Sequence, residues 1–381
     1  MTTGSRFLDL HALQPVTAAN LNRGESGYPK MIKLGGAERA MVSSQAWKRP
    51  IRLDMEEELG ELAARTRMLP PVVADALREQ GWPEDLATFT AAQVALSAKK
   101  GGLKTNPQQG HRTQAMLYLP TDAPGRLLEI CAAHRRELQK ALDTQTETGK
   151  AAPAVLPTKQ IAAELTRRTA TINLLGRMLA EIPTGHVDGA VQMAPAFTVH
   201  TTSLQPDFFT AVEDWPRPND AGSAHLETAF LTAGVFYRFA TVNITTLITN
   251  LDGDSAAAAK LIDLFAWTFI MAMPKGKQTS TAAHTVPDLV HYVVRDRRPI
   301  SYAPAFEQPV TTRGQGHTQP ARQALADYAA TIDRLVGTRH RIAHGHATAA
   351  GAPIEHLGTH HPGFPDLAAA CATALDTAGE M

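Results

Sequence analysis

The hydrophobic period of this chain changes twice, and that restricts its fold more than any other feature. Residues 7–13 alternate, with Leu8, Leu10 and Ala12 on one face and Asp9 and His11 on the other, the period of a half-buried strand. A short strand is expected at 39–42. Ser43 or Ser44 can then cap a helix. Pro50 removes the hydrogen bond to the Ala46 carbonyl, so that helix should kink or restart there. Residues 55–182 are rich in Ala, Leu, Glu and Arg and read as mostly helical, with breaks at Pro70-Pro71, Gly101-Gly102, 104–110 and 144–157. Their last helix is expected over 158–182, carrying Ile161, Leu165, Ile172, Leu175 and Leu179 at helical spacing. From residue 187 the strand period returns, with strands expected at 187–201, 234–244 and 289–294. A turn-rich stretch, 202–233, separates the first two. Helices are expected at 255–273, capped by Asp254, and at 319–336. The tail from residue 343 is rich in Ala, Gly and His and reads as loose.

In order this is strand, helix, strand, strand, helix, strand, with a helical block inserted after the first helix and an irregular excursion between the middle strands. The class is α+β. The βαββαβ order is the ferredoxin-like one that RNA recognition motifs also use. No internal repeat interrupts it.

Composition excludes several alternatives. At 381 residues, 44% hydrophobic and 19% charged, the chain can bury a large core without covalent staples. Two cysteines, Cys131 and Cys371, make no disulfide framework, which points to a reducing cytoplasm. The N-terminus shows no signal-peptide pattern. The most apolar stretch, 261–273, is too short to span a bilayer, so no membrane association is expected. Lys+Arg and Asp+Glu balance at 37 each, which argues against a globally basic surface. Locally the balance fails: residues 22–52 hold seven cations (Arg23, Lys30, Lys33, Arg39, Lys48, Arg49, Arg52) against Glu25 and Glu38, an excess of five. That is the charge distribution of a phosphate track.

Three segments offer anion-binding chemistry. In "MVSSQAWKRPIR" (41–52), a helix starting near Ser44 places Ser44, Lys48 and Arg52 on one face, with Gln45 and Arg49 beside them and Trp47 and Ile51 inward. Free N–H groups, a hydroxyl, an amide and cations suit a phosphate. Alone, the arrangement equally describes a capped helix with a solvated basic face. The loop "LNRGESGYPKMIKLGG" (21–36) adds Asn22, Arg23, Lys30 and Lys33. "MPKGKQTSTAAH" (273–284) adds Lys275, Lys277 and Gln278 around Gly276. Met178, Phe208, Phe209 and Trp215 could stack on bases if exposed, although such residues are usually core. His344, His346, His356, His360 and His361 lack a matching carboxylate spacing, and the chain has no CxxC, HExxH, P-loop, GxSxG or GxGxxG in a βαβ setting, so no metal or cofactor is expected. Asp9 and His11 could form an acid/base pair, a pairing that strand alternation also makes by chance.

"LNRGESGYPKMIKLGGAERAMVSSQAWKRPIR" resembles the N-terminal signature of the backbone subunit of the type I-E CRISPR Cascade complex. "GRMLAEIPTGHVDGAVQMAPAFTVHT", "DFFTAVEDW", "GSAHLETAFLTAGVFYRFATVNI" and "PKGKQTSTAAHTVPDLV" are similar to that family's later motifs, in the same order. The resemblance covers residues 6–57 and 172–295. It implies a hand-shaped protein: a palm built as a modified RNA recognition motif (1–57, 172–199 and 234–381, the last including the tail), helical fingers (58–171) and a β-hairpin thumb (200–233). It implies polymerisation along a CRISPR guide RNA with other copies and other Cascade subunits, the guide bases being left to pair with target DNA. By resemblance, Arg23, Lys30, Ser44, Gln45, Lys48, Arg49, Arg177, Lys275, Lys277 and Gln278 occupy phosphate-contacting positions. Met178 flanks a displaced base, which Phe209 and Leu226 cover. Two departures stand out: Pro50, where relatives continue with a helix former, and Gly24-Glu25, where many place acidic residues. Related type III backbones cut RNA with a loop aspartate, so a metal-dependent RNase using Glu25 or Asp9 is the alternative. The resemblance implies no catalysis.

Overall fold

Strand β1 (Arg6–Ala19) is buried continuously from Phe7 to Gln14, including the polar residues Asp9, His11 and Gln14. The computed structural model describes residues 5–179, 181–212, 223–312 and 314–374, with the backbone alone described at 183, 211–212 and 223–226. Contacts divide the chain into two units, Met1–Met55 with Val191–Met381, and Glu56–Ala190.

The first unit is built on one mixed sheet. Its other strands are β2 (Met31–Leu34), β3 (Ala37–Val42), β4 (Val191–Met193), β5 (Ala196–Thr198), β6 (Gln205–Val212), β7 (Ser223–Asn243), β8 (Leu289–Asp296), β9 (Arg341–Thr348) and β10 (Thr359–His360). The order is β10-β9-β8-β1-β7-β5-β3-β2, with β4 and β6 also pairing with β7. The β9–β10 pair is parallel and the others are antiparallel. The helices are α1 (Ser44–Leu59), α2 (Ile244–Asn250), α3 (Ser255–Met271), α4 (Gln278–Thr281), α5 (Thr318–Val336) and α6 (Phe364–Thr373). Asp254 caps α3 as expected, its carboxylate accepting from Ala257 N at 2.8 Å. Among the described residues no helix is long and apolar enough to cross a membrane.

Both faces of the central strands are covered, which overturns the half-buried reading of β1. The even-numbered residues of β1 lie on the side of Trp47 and Phe269, where Arg238 bridges Gln14 to both aromatic rings. The odd-numbered residues meet Tyr302 and Phe306 and the apolar stripe of α5, including Leu325 and Ile332. Asp9 and His11 are therefore interior groups, both fully buried.

Three further expectations are corrected. Residues 187–201 make two short strands, β4 and β5, because Pro195 between them has no N–H for a ladder. Residues 158–182 make two helices, Thr158–Thr166 and Ala170–Leu175. Thr169 caps the second, and Gly176 (φ +81°) ends it in a conformation that L side chains avoid. From residue 343 to residue 374 the tail forms regular elements: β9 and β10 place His344, His346 and His360 in the sheet, and α6 follows.

The second unit is mainly helical. Its helices Leu69–Glu79, Glu84–Ser97, Ala123–Ala133 and Thr158–Thr166 share a core that includes Val73, Leu77, Leu86, Leu127, Cys131 and Ile161. Two small antiparallel pairs, Ala63–Thr66 with Leu117–Pro120 and Thr105–Asn106 with Arg112–Thr113, interrupt it.

The covered second face of the sheet carries a polar cluster. His11 Nδ1 lies 2.9 Å from Tyr237 Oη, and its ring stacks 4.1 Å from that of Tyr302. Asp9 Oδ2 accepts from Ile300 N at 2.9 Å and lies 3.5 Å from Arg295 Nε. His291 Nδ1 meets the Gly345 carbonyl at 2.9 Å. Burial pushes His291 down to about 3, His344 down to about 4, and His11 well below the usual imidazole value. These groups are neutral in the fold and protonate more readily in the unfolded chain. Below about 6.5 the unfolded state therefore binds more protons, and stability falls with falling pH. Asp9 opposes this: burial raises its carboxyl to about 6, so its protonation favours the fold between about 6 and 4. Three histidines outweigh one aspartate. The urea midpoint should fall from pH 7 to 4.5, each group contributing a slope of at most about 1.4 kcal/mol per pH unit, and His291→Asn should make the fall shallower. A midpoint that is flat with pH would contradict neutral buried histidines.

Candidate nucleic-acid interface

After β1 the chain folds back as a tongue over residues 20–30. Arg23 bridges Pro29, Gly24 N donates to Tyr28 O at 2.8 Å, and Lys30 N donates to Asn22 O at 3.0 Å. Glu25, Ser26 and Gly27 form the exposed tip, pinned by Asn20 Nδ2 on the Gly27 carbonyl at 3.0 Å. The tongue is tied to the start of α1. Ser43 N donates to Asn22 Oδ1 at 2.9 Å, and Lys30 Nζ donates to Ser43 Oγ at 3.1 Å. Arg23 is exposed beside this junction.

Helix α1 continues through Pro50, without the expected restart. Proline removes one hydrogen bond, while Trp47, Ile51 and Met55, at 1% exposure or less, hold the helix on both sides of it. Gln45 and Arg49 form the exposed polar pair, with Ser44 and Lys48 half-buried beside them. Arg52 is 8% exposed and already engaged. The face expected to run Ser44, Lys48, Arg52 therefore stops at Lys48. Arg39 also turns inward, donating to the carbonyls of Thr198, Phe306 and Glu307.

Behind α1 lies a buried cation. The Arg238 guanidinium stacks 3.8 Å from the Trp47 ring centroid and 4.5 Å from that of Phe269, and donates to Gln14 Oε1 at 2.5 Å and to the Phe269 carbonyl. Burial lowers it to about 9, which keeps it charged at neutral pH. Gln14 Nε2 in turn donates to Thr285 O at 2.7 Å. Arg238 and Gln14 thus connect α1 to the loop that precedes β8.

That loop carries the second basic segment. A Cβ on Gly276 would sit 2.4 Å from the Leu21 carbonyl oxygen, so glycine permits the loop to lie against the base of the tongue. Lys275 is exposed and Lys277 half-buried, with left-handed backbone at Lys277 (φ +51°). Gln278 turns inward: its Nε2 donates to Pro274 O at 3.1 Å and its Oε1 is buried, so its amide does not join the basic surface. Lys277 Nζ lies 5.9 Å from the Phe209 ring centroid.

Phe209 belongs to the ribbon formed by β6 and the first half of β7, where it pairs with Glu227. Phe208 (66% exposed) and Phe209 (40% exposed) point to opposite faces of this ribbon, both uncovered. Leu226 is paired with Thr210 through its backbone; its side chain and Trp215 lie outside the described residues. At the ribbon's base the Phe230 ring packs 4.3 Å from that of Tyr28 on the tongue, a contact with no sequence signal.

In the second unit the two neighbouring candidates separate. Arg177 is 2% exposed and spends four N–H donors on the carbonyls of Gly185, Tyr118, Arg167 and Thr166, at 2.7–3.2 Å. This guanidinium is a structural cross-link and does not belong to the exposed basic surface. Met178 is 82% exposed at the mouth of a cavity of about 440 Å³ lined also by Arg65, Met116 and Tyr118. The Arg65 guanidinium lies 4.9 Å from the Tyr118 ring centroid, and Met116 is 49% exposed. Nothing in the local sequence marked Arg65 or Met116, because only the fold brings residues 65, 116 and 178 together.

Among the described residues no three His, Cys, Asp or Glu side chains are grouped so as to hold a metal ion. Buried Asp9 is held by Ile300 N and Arg295, and Glu25 stands at the exposed tongue tip.

The chain belongs to the CT1975-like protein family, whose model matches residues 8–369. It is similar to a chain of a solved structure described as "CRISPR RNA-guided surveillance complex, pre-nicking", at 41% identity and a TM-score of 0.90, covering 97% of this chain and 100% of that one. A second solved chain, from a "CRISPR RNA-guided surveillance complex", is 36% identical with a TM-score of 0.80, covering 97% of this chain and 99% of that one. No curated protein matches.

Replacing Arg177 tests its assignment as a cross-link. Arg177→Met should strand several buried carbonyls and destabilise the chain by about 3 kcal/mol in urea unfolding. An unchanged midpoint would show that those four bonds contribute nothing.

Proposed function

We propose that this protein is a non-catalytic RNA-binding subunit that polymerises along a CRISPR guide RNA as the backbone of a type I-E Cascade complex. It holds the guide by its phosphates and leaves the bases to pair with target DNA. In this reading the mixed sheet is a modified RNA-recognition-motif palm, residues 58–171 the helical fingers and the β6–β7 ribbon the thumb. The observation that carries the reading is the joining of the basic stretch 22–52 to a basic loop distant from it in sequence. The tongue meets α1 through Asn22 and Lys30, and the Lys275–Lys277 loop lies on the tongue at Gly276. Membership of the CT1975-like family and the likeness to two surveillance-complex chains support it. Both faces of the central strands are covered, so bases are not stacked on the open sheet as in an ordinary RNA recognition motif. The RNA runs instead past the end of the sheet, along Arg23, Ser44, Gln45, Lys48, Arg49, Lys275 and Lys277. Exposed Phe209 in the first unit and exposed Met178 in the second each offer an apolar surface of the kind on which displaced bases stack.

The full chain should bind single-stranded RNA of unrelated sequences with equal affinity. Combining Arg49→Ala with Lys277→Ala should weaken binding to all of them alike, and lower the slope of log affinity against log salt by about two, roughly one per lost phosphate contact. Unchanged affinity and slope would remove these residues from the interface. Incubation of the assembled complex with complementary RNA and Mg²⁺ should leave the RNA intact; fragments at regular spacing would identify an RNase instead.

A further inference from the structure

A second surface of the first unit has a composition unlike the nucleic-acid candidate. Between the end of β8 and the last turns of α5 lies a cavity of about 780 Å³. Its apolar lining includes Ile300, Ala303, Ile332 and Val336. The apolar surface continues outside it: Val336 is 50% and Leu335 73% exposed, in the final turn of α5. On a helix end such a pair has no solvent-facing purpose, and a continuous apolar patch with a cavity is the form of a binding surface.

The charges around it are one-sided. Arg297 and Arg298 line the cavity and are exposed, and Arg334 and Arg339 flank Leu335–Val336 in the chain and are exposed as well. The acids of the same segments are already engaged. Asp296 Oδ1 meets His340 Nδ1 at 2.7 Å, and Asp333 is bonded to Arg341. Among the described residues no carboxylate pairs with Arg297 or Arg298. Arg297 also adopts left-handed backbone (φ +77°), with its N–H on the Ser5 carbonyl at 2.8 Å. Glycine would occupy that conformation without strain, so an arginine is held there at a steric cost.

We propose that this cavity docks an acidic, amphipathic segment of a partner protein. Its leucine-like side chains enter the cavity and cover Leu335 and Val336, and its carboxylates pair with Arg297 and Arg298. A protein fits better than a nucleic acid because the floor is chiefly aliphatic. The lining's rings are Tyr328 and His340, and His340 is bonded to Asp296, whereas a base-binding groove presents successive rings for stacking. Arginines at the rim of an apolar patch are the usual partners of protein carboxylates.

The test uses the full chain and a fluorescein-labelled synthetic helix of about twelve residues, with leucines at i, i+3, i+4 and i+7 and glutamates elsewhere. Fluorescence anisotropy should show saturable binding. Affinity should fall about tenfold in Arg297→Glu/Arg298→Glu, and about tenfold in Val336→Asp; these residues are exposed, and thermal melts should confirm that the variants fold. Arg49→Ala/Lys277→Ala should bind the peptide unchanged. The proposal is overturned if a lysine version of the peptide binds equally well, or if neither cavity variant weakens binding. It is also overturned if single-stranded DNA or RNA binds there and is lost in Arg297→Glu/Arg298→Glu, which would make the cavity a nucleic-acid site.

Discussion

From Phe7 to Gln14 strand β1 has no solvent face, and most of the first unit follows from that. Covering both faces of the central strands forces every side chain of the middle of β1 into low-dielectric surroundings, polar ones included. On one face the result is the Asp9–His11–Tyr237–Tyr302 cluster, whose groups meet each other or a backbone partner. On the other it is Gln14 and the buried Arg238, whose charge is met by two aromatic rings, an amide oxygen and a carbonyl rather than by a carboxylate. Such buried polar networks are costly when half-satisfied and restrictive when complete. Here one of them reaches from α1 to Thr285, so the packing that fills the core also connects the two basic segments of the surface.

A covered sheet changes where ligands can be met. The proposed RNA track lies at one end of the strands, where β1 stops and β7 and β8 begin, and is made of loops, one helix start and a ribbon. Loops supply free N–H groups and long cations without the demand that bases be read. An uncharged chain overall is compatible with that role: the excess of five cations sits in one segment, and acids elsewhere balance it. The cavity at β8 and α5 is separate from this track and differs in kind, being aliphatic with an arginine rim.

The legible parts of the fold were those with strong local patterns. Helix α3 starts at its Asp254 cap, and α5 spans nearly the residues that its stripe marked out. Strand β8 is visible as a short stretch rich in valine and aromatic residues. The tail failed because Ala, Gly and His have weak strand preference; β9 exists because β8 offers it an edge. Likewise, of the kink or restart that Pro50 suggests, the restart does not occur, since propensity counts the lost hydrogen bond and not the burial of Trp47, Ile51 and Met55 on both sides of it. Within the candidate site, the exposed cations Arg23, Arg49 and Lys275 were legible from charge clustering, but Arg39, Arg52 and Arg177 looked the same in sequence and are interior.

The sequence by itself determined the α+β class, the large helical insertion, the local concentration of positive charge and the family resemblance, because these depend on periodicity, composition and order along the chain. Only the tertiary structure decided which cations face solvent, that Gln278 turns inward, that Arg65 and Met116 join Met178, and that Arg297 and Arg298 rim an apolar cavity. Those outcomes depend on which carbonyls, rings and strands arrive beside each side chain from distant parts of the chain. An arginine donates to whatever acceptors are nearest once water is excluded. Its neighbours in sequence do not say whether those acceptors will be protein carbonyls or the groups of a partner.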